Sequence, residues 1–184
     1  MLRTMPQTRT QGLTYRLAGI ALFTVLTAVA ARISIEWGGP VPFTLQPLAV
    51  LLAGLVLGAR DGALSQLSYV LLIAAGAPLD ARMIGTAALF GPTGGFLIGF
   101  IAAAFVAGFL MEHGANSVWQ RWLAGVAGIA VLYLLGVLHL QAYLGLDFSA
   151  AWAAGAAPFL LPDLLKALIA AGVAEAGRAF VQRS

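Results

Sequence analysis

Cysteine is absent from the 184 residues of this chain, which excludes disulfide bonds and metal sites built on thiolates. Charged residues are also scarce, because they make up 9% of the chain whereas soluble domains carry about 25%. Hydrophobic residues account for 61%. The composition therefore excludes an ordinary soluble domain and predicts an integral membrane protein that is embedded in a lipid bilayer.

Motifs of familiar enzyme classes are missing as well. The sequence has no zinc-protease helix, no GxSxG nucleophile turn and no Walker-type phosphate loop, and its "GPTGG" segment at 91–95 lacks the lysine that such a loop needs. The net charge of +3 is small and its basic residues are scattered, which argues against a nucleic-acid partner. We predict that the chain is not an enzyme, has no ATPase activity of its own, and requires neither a metal nor another cofactor.

Six apolar stretches predict membrane-spanning helices. A bilayer core of about 30 Å needs roughly 20 helical residues, and the two shortest stretches fall below that length. The sequence thus predicts an all-α, six-helix integral membrane bundle that forms a single transmembrane domain over residues 1–184. The spans are expected at about 14–33, 45–57, 62–75, 94–111, 119–144 and 158–180.

The distribution of arginines predicts the orientation of this bundle. With six spans both termini lie on one side of the membrane, and only Arg32 and Arg82 fall on the other. Cytoplasmic loops carry the excess of basic residues, so both termini are expected in the cytoplasm of a prokaryote, with the chain in its plasma (inner) membrane. The arginines of the cytoplasmic side would be Arg3, Arg9, Arg16, Arg60, Arg121, Arg178 and Arg183.

Two opposite charges stand out in the last apolar stretch, "PFLLPDLLKALIAAG". Asp163 and Lys166 are three residues apart and so share one face of a helix. Charges inside a membrane are costly and usually face a partner or a cavity. One interpretation is a salt bridge that closes on itself where the helix begins. The other is a ligand site, in which the lysine can meet a carboxylate and the aspartate can accept from N–H groups.

Other polar residues have two interpretations each. Gln46, close to Thr44 at the start of the second span, can cap or bridge helices or can bind a ligand through its amide. Tyr69 in the third span is expected to hydrogen-bond between helices, and it is also counted as a candidate ligand contact. Asp80 and Arg82, in the loop after the third span, are most simply solvated.

Small residues line one part of the first span, at Thr24, Ala28 and Ala31. Small side chains let two helix backbones approach closely. The spacing is compatible with packing inside this chain and with docking of another membrane protein, and it does not decide between them.

Three blocks of sequence resemble one known family. They read "VPFTLQPLAVLLAGLVLGARDGALSQLSYVLLIAAGAPL", "LFGPTGGFLIGF" and "PFLLPDLLKALIAA", in the order and spacing of the BioY family. Members of that family are the biotin-binding membrane subunits (S components) of energy-coupling factor (ECF) transporters. The resemblance extends from about residue 18 to 174. The family usually has Tyr where this chain has Phe96, and Thr where it has Pro47.

The resemblance implies high-affinity capture of biotin at an extracytoplasmic site, covered by the first outer loop, and uptake into the cytoplasm. The acid and the lysine of the last span match family residues that contribute to that site, and the "TLQ" block and the middle outer loop supply further lining. The implied biotin contacts are Thr44, Gln46, Asp163 and Lys166; Arg82 is our candidate for the polar contribution of the middle loop, and Tyr69 is a further candidate contact.

The resemblance also implies partners. Members of the family dock a transmembrane (T) subunit through small residues of the first helix, here Thr24, Ala28 and Ala31, and that subunit couples to two ATPase subunits. Two alternatives stay open: an S component for another vitamin, and a structural membrane subunit that binds no small molecule.

Overall fold

The computed structural model of the chain describes residues 9–114 and 117–183, and the predicted cytoplasmic Arg3 lies outside these ranges. The described part is almost entirely helical, with one two-stranded antiparallel sheet in which Ser34 pairs with Thr44. The elements are α1 Arg9–Arg32, β1 Ser34–Ile35, β2 Phe43–Thr44, α2 Gln46–Leu57, α3 Ala59–Ala74, α4 Ala87–Phe90, α5 Gly94–Glu112, α6 Val118–Leu144, α7 Phe148–Gly155, a 3₁₀ turn Ala157–Phe159, and α8 Leu160–Arg183.

Local sequence signals account for several helix ends. α6 begins with a capping box, in which Ser117 accepts from the backbone of Gln120 while the Gln120 side chain reaches back. It ends at Gly145, whose left-handed φ of 65° suits glycine at a helix C-terminus. Asp147 caps α7 by accepting from the backbone N–H of Ala150.

Close backbone contacts between helices define the core. α5 and α6 pack along their length, and a Cβ at Gly95 would lie 2.6 Å from the carbonyl oxygen of Leu135. At the other end of α5, a Cβ at Gly108 would lie 2.4 Å from the backbone nitrogen of Ala59, at the start of α3. Small residues therefore allow these helices to pack at backbone distance, as is usual in membrane bundles.

Six helices, α1, α2, α3, α5, α6 and α8, overlap the six predicted spans. In the described part of the chain, four stretches are long and apolar enough to cross a membrane by length and composition: Gly12–Arg32, Gly94–Glu112, Val118–Leu144 and Phe148–Ala179. α2 is apolar but shorter, with 12 residues.

The segments between the predicted spans contain short helices that were not predicted. α4 lies between the third and fourth predicted spans, and α7 lies between the fifth and sixth. The first loop, at 34–44, forms the two strands and the turn between them, called here the hairpin (residues 34–44). The fold is thus less simple than six helices joined by loops, because short elements cover one end of the bundle.

Candidate functional site

A cavity opens at the end of the bundle where α2 and α8 begin. The cavity is partly open to solvent and combines apolar walls with a cluster of polar side chains, as small-molecule sites usually do. Its aromatic walls come from Phe96, Phe100 and Phe159. Its polar lining consists of Thr44, Gln46, Asp80, Arg82, Thr93, Tyr133, Asp163 and Lys166.

Asp163 and Lys166 form a buried ion pair in the wall of this cavity. The Lys166 Nζ lies 2.6 Å from Asp163 Oδ1. Asp163 is 3% exposed and Lys166 is 5% exposed. The other carboxylate oxygen, Oδ2, accepts a hydrogen bond of 2.7 Å from the hydroxyl of Tyr133 on α6. Each oxygen of the carboxylate therefore has a donor, which is what a charge needs when it is removed from water.

The ammonium of Lys166 is held by further contacts. It donates to the carbonyl oxygen of Thr44 at 2.7 Å, and it lies 4.0 Å from the centre of the Phe43 ring. A cation over an aromatic face is attracted by the ring quadrupole. Lysine has three N–H donors, and two have partners here among the described residues. The pair thus connects α8 to β2.

Gln46, the first residue of α2, is another polar group that lines the cavity. Its backbone N–H donates to Thr44 Oγ1 at 3.2 Å, and its Nε2 donates to the Tyr69 hydroxyl at 2.8 Å. Tyr69 in turn donates to the carbonyl of Leu79 at 3.0 Å. Tyr69 is fully buried and does not line the cavity, so it lies one hydrogen bond behind Gln46.

The expectation that Asp80 is solvated is wrong, because this residue is 4% exposed. Its Oδ2 accepts from the backbone N–H of Arg82 at 3.0 Å and its Oδ1 from that of Gly85 at 2.8 Å. Arg32, from the end of α1, donates to the Asp80 carbonyl. Within the same turn Met83 has a φ of 58°, a conformation that non-glycine residues rarely adopt. Asp80 therefore organises what is called here the Asp80 loop (residues 76–86).

Replacing Asp80 with alanine should destabilise the protein by about 1–3 kcal/mol, because a buried N–H would lose its acceptor. Thermal unfolding in detergent measures the loss. Asp80→Asn is the matched control, since it keeps an acceptor oxygen and should retain more of the stability than alanine. Equal stability of Asp80→Ala and the wild type would contradict this role for the carboxylate.

Arg82 is not freely solvated either, because it pairs with the hairpin. Its Nε and Nη2 lie 2.9 and 3.0 Å from the two carboxylate oxygens of Glu36, a bidentate arrangement. Hydrogen bonding to Arg82 holds the pKa of Glu36 below its ordinary value. Weaker contacts run from the guanidinium to the carbonyls of Gly39 and Pro40. Arg82 therefore joins the Asp80 loop to the hairpin beside the cavity.

Comparison with known proteins assigns the chain to a family. The family model described as "BioY family" matches residues 4–183, which is nearly the whole chain.

The chain belongs to the BioY family.

Individual relatives agree with this assignment. The biotin transporter BioY of Thermotoga maritima is 46% identical over 154 residues, which cover 83% of this chain and 89% of that protein. A probable biotin transporter BioY of Pyrococcus horikoshii is 45% identical over 157 residues, with coverages of 85% and 91%.

The fold agrees as well. The crystal structure of the S component for biotin from an ECF-type ABC transporter superimposes with a TM-score of 0.85, over 94% of this chain and 95% of that one. At 22% identity this likeness concerns the fold alone. This BioY-family chain is therefore a multi-pass protein of the plasma membrane with the S-component fold.

Two of the three small residues of the first helix pack within this BioY-family chain. Thr24 is buried, and its hydroxyl donates to the carbonyl of Ser65 on α3 at 2.9 Å. Ala31 is fully buried, whereas Ala28 is only partly so. Of the two interpretations left open by the spacing, internal packing therefore describes Thr24 and Ala31 in this structure.

Three polar residues of the cavity lining, Asp80, Thr93 and Tyr133, were not predicted from the sequence as ligand contacts, and Tyr133 is the one bonded to the ion pair. It lies 30 positions before Asp163, so helical spacing does not connect the two. One signal was available, because a tyrosine in an apolar span needs a partner for its hydroxyl. The aspartate of the last span was the acceptor that could satisfy it.

Proposed function

We propose that the chain captures biotin in this cavity and delivers it to the cytoplasm, as the substrate-specific component of an ECF transporter. The observation that supports this most strongly is the buried network of Asp163, Lys166 and Tyr133 in the wall of the cavity, in a chain of the BioY family. Its relatives carry the name biotin transporter.

The chemistry of the cavity suits this ligand. Biotin has a ureido group with N–H donors and a carbonyl acceptor, an apolar ring and tail, and a carboxylate. Asp163 can accept from N–H groups, and Lys166 and Gln46 can donate to a carbonyl. Phe96 and Phe159 offer apolar walls for the ring and the tail. Thr44 and Arg82 complete the polar lining, and Tyr69 contributes indirectly by holding Gln46.

The proposal includes an orientation in the membrane. Six helices would cross it, with both termini in the cytoplasm, so that the cavity opens to the outside and the hairpin covers it. The excess of arginines at the ends of the chain and in the loops on that side supports this orientation.

The proposal also includes partners. A transmembrane T subunit and ATPase subunits would supply the energy, because the chain has no phosphate-binding loop of its own. α1 is the natural docking helix, since 22% of its spanning stretch is buried inside the chain, against 50% or more in α5 and α6. Of Thr24, Ala28 and Ala31, Ala28 is the one that is not buried and can contribute to docking.

Binding of labelled biotin to the purified, full-length protein tests the proposal. Saturable binding below micromolar concentration is expected, together with thermal stabilisation of about 2.7 kcal/mol at a hundredfold excess over the dissociation constant. Competition by riboflavin or thiamine would indicate another vitamin instead. If no ligand produced a shift and the protein only co-purified with a partner, a structural subunit would be the better description.

A further inference from the structure

Arg82 differs from the other charged residues of the cavity in having an exchangeable partner. It lines the cavity, and it also holds Glu36 of the hairpin through two hydrogen bonds of 2.9 and 3.0 Å. Glu36 itself does not line the cavity. The side chains of Glu36 and Arg82 are 50% and 31% exposed, so water reaches both.

Because both side chains are exposed to water, the ion pair between Glu36 and Arg82 is weak. An exposed ion pair contributes little to stability, so the Glu36 carboxylate can leave Arg82 at small cost. The guanidinium binds carboxylates bidentately, and its fork would accept another carboxylate equally well. Arg82 therefore presents a ready binding position that Glu36 occupies in this structure.

The buried pair has the opposite property. Asp163 and Lys166 neutralise one another at 2.6 Å, and Tyr133 occupies the second oxygen of Asp163. A ligand carboxylate that took Lys166 would leave Asp163 as an uncompensated buried charge, which is strongly unfavourable. This end of the cavity therefore suits an uncharged polar group that adds hydrogen bonds without separating the pair.

We propose that the ligand's carboxylate replaces Glu36 on Arg82, so that Glu36 acts as a competitor that sets the affinity for carboxylate-bearing ligands. The inference rests on the proposed function and adds to it the orientation of the bound molecule. The carboxylate lies at Arg82 beside the hairpin, and the ureido ring lies at Asp163 and Lys166.

Two substitutions, made singly and together, and two ligands test this exchange. Biotin and its neutral amide, biotinamide, are titrated into the full-length wild type, Glu36→Gln, Arg82→Gln and the double variant. Asp147→Asn serves as the control, because Asp147 is another exposed acid that follows α6, outside the cavity. Asp147→Asn shows how much biotin binding changes when one negative charge is removed outside the cavity.

Glu36→Gln should tighten biotin binding about two- to fivefold, as expected from the small energy of an exposed pair, and should leave biotinamide binding unchanged. Arg82→Gln should weaken biotin binding about tenfold and biotinamide less than twofold. The gain from Glu36→Gln should disappear when Arg82 is already replaced, and Asp147→Asn should produce no gain.

Weaker biotin binding by Glu36→Gln would overturn the exchange, and so would an equal loss of biotin and biotinamide in Arg82→Gln. A gain in Glu36→Gln that Asp147→Asn reproduces would overturn it too, since a general field effect would then be the cause. Failure of the proposed function looks different, because the wild type would then bind neither ligand.

Discussion

Replacing Lys166 with methionine should weaken biotin binding by about 100-fold or more. Truncating one member of a buried, hydrogen-bonded charge pair costs about 2–5 kcal/mol in binding, and each 1.4 kcal/mol is about a factor of ten. Methionine fills a similar volume, but it donates neither to the ligand nor to the Thr44 carbonyl. Isothermal titration or labelled-biotin binding with the purified protein measures the loss.

The same variant should also lose stability, because Asp163 would stay buried with Tyr133 as its remaining donor. Removing one partner of a buried pair typically costs about 3–5 kcal/mol, whereas replacing both by apolar or neutral groups is often harmless. The double variant Asp163→Asn with Lys166→Met is therefore the control. It should recover much of the thermal stability and still fail to bind biotin.

This design separates two roles of the pair. If the double variant folds and biotin binds to it as to the wild type, the ion pair is only a structural clasp and the ligand lies elsewhere. If Lys166→Met binds biotin as tightly as the wild type, Lys166 makes no contact that contributes to biotin binding. If Lys166→Met does not fold, biotin binding can still be measured with the double variant.

The sequence revealed the part of the site that depends on local geometry. Asp163 and Lys166 share a helix face because of their spacing, and the structure has them 2.6 Å apart. Thr44 and Gln46 were predicted as candidate ligand contacts at the start of the second span, and both line the cavity. These inferences require only the spacing of residues along a helix and the position at which a helix begins.

The sequence did not reveal the partners of Asp80 and Arg82. Asp80 was expected to be solvated because a loop acid usually is, but its two acceptor oxygens are used by the backbone of its own loop. Arg82 meets Glu36 across 46 positions. α7 is different, because its cap was readable: Asp147 precedes an alanine-rich stretch, and no helix was predicted there.

The contact between the backbones of α2, α3 and α5 predicts the largest effect on stability. Gly54 lies on α2, and a Cβ built there would be 2.3 Å from the Ala104 carbonyl oxygen and 3.1 Å from the Gly108 nitrogen on α5. Its Cα also lies 2.8 Å from the Cβ position of Gly62 on α3. Three helix backbones therefore meet at Gly54, and no side-chain rotation can make room.

Gly54→Val should prevent accumulation of the correctly folded protein. Overpacking a core commonly costs about 1–3 kcal/mol when side chains can move, and here backbones would have to separate, so a loss above about 3 kcal/mol is expected. Size-exclusion profiles and thermal unfolding of the detergent-purified variant measure it. Biotin binding should be lost as well, since Gln46 on the same helix would shift with α2.

Gly172→Val on α8 is the matched control for this substitution. A Cβ at Gly172 meets no atom within 4 Å, so the added side chain enters open space. Valine has a somewhat better helix propensity than glycine, and the variant should match or slightly exceed the wild type in stability. Equal behaviour of the two variants would mean that α2 and α5 can separate freely. The cavity formed at the end of these helices would then not be held in shape by their close contact.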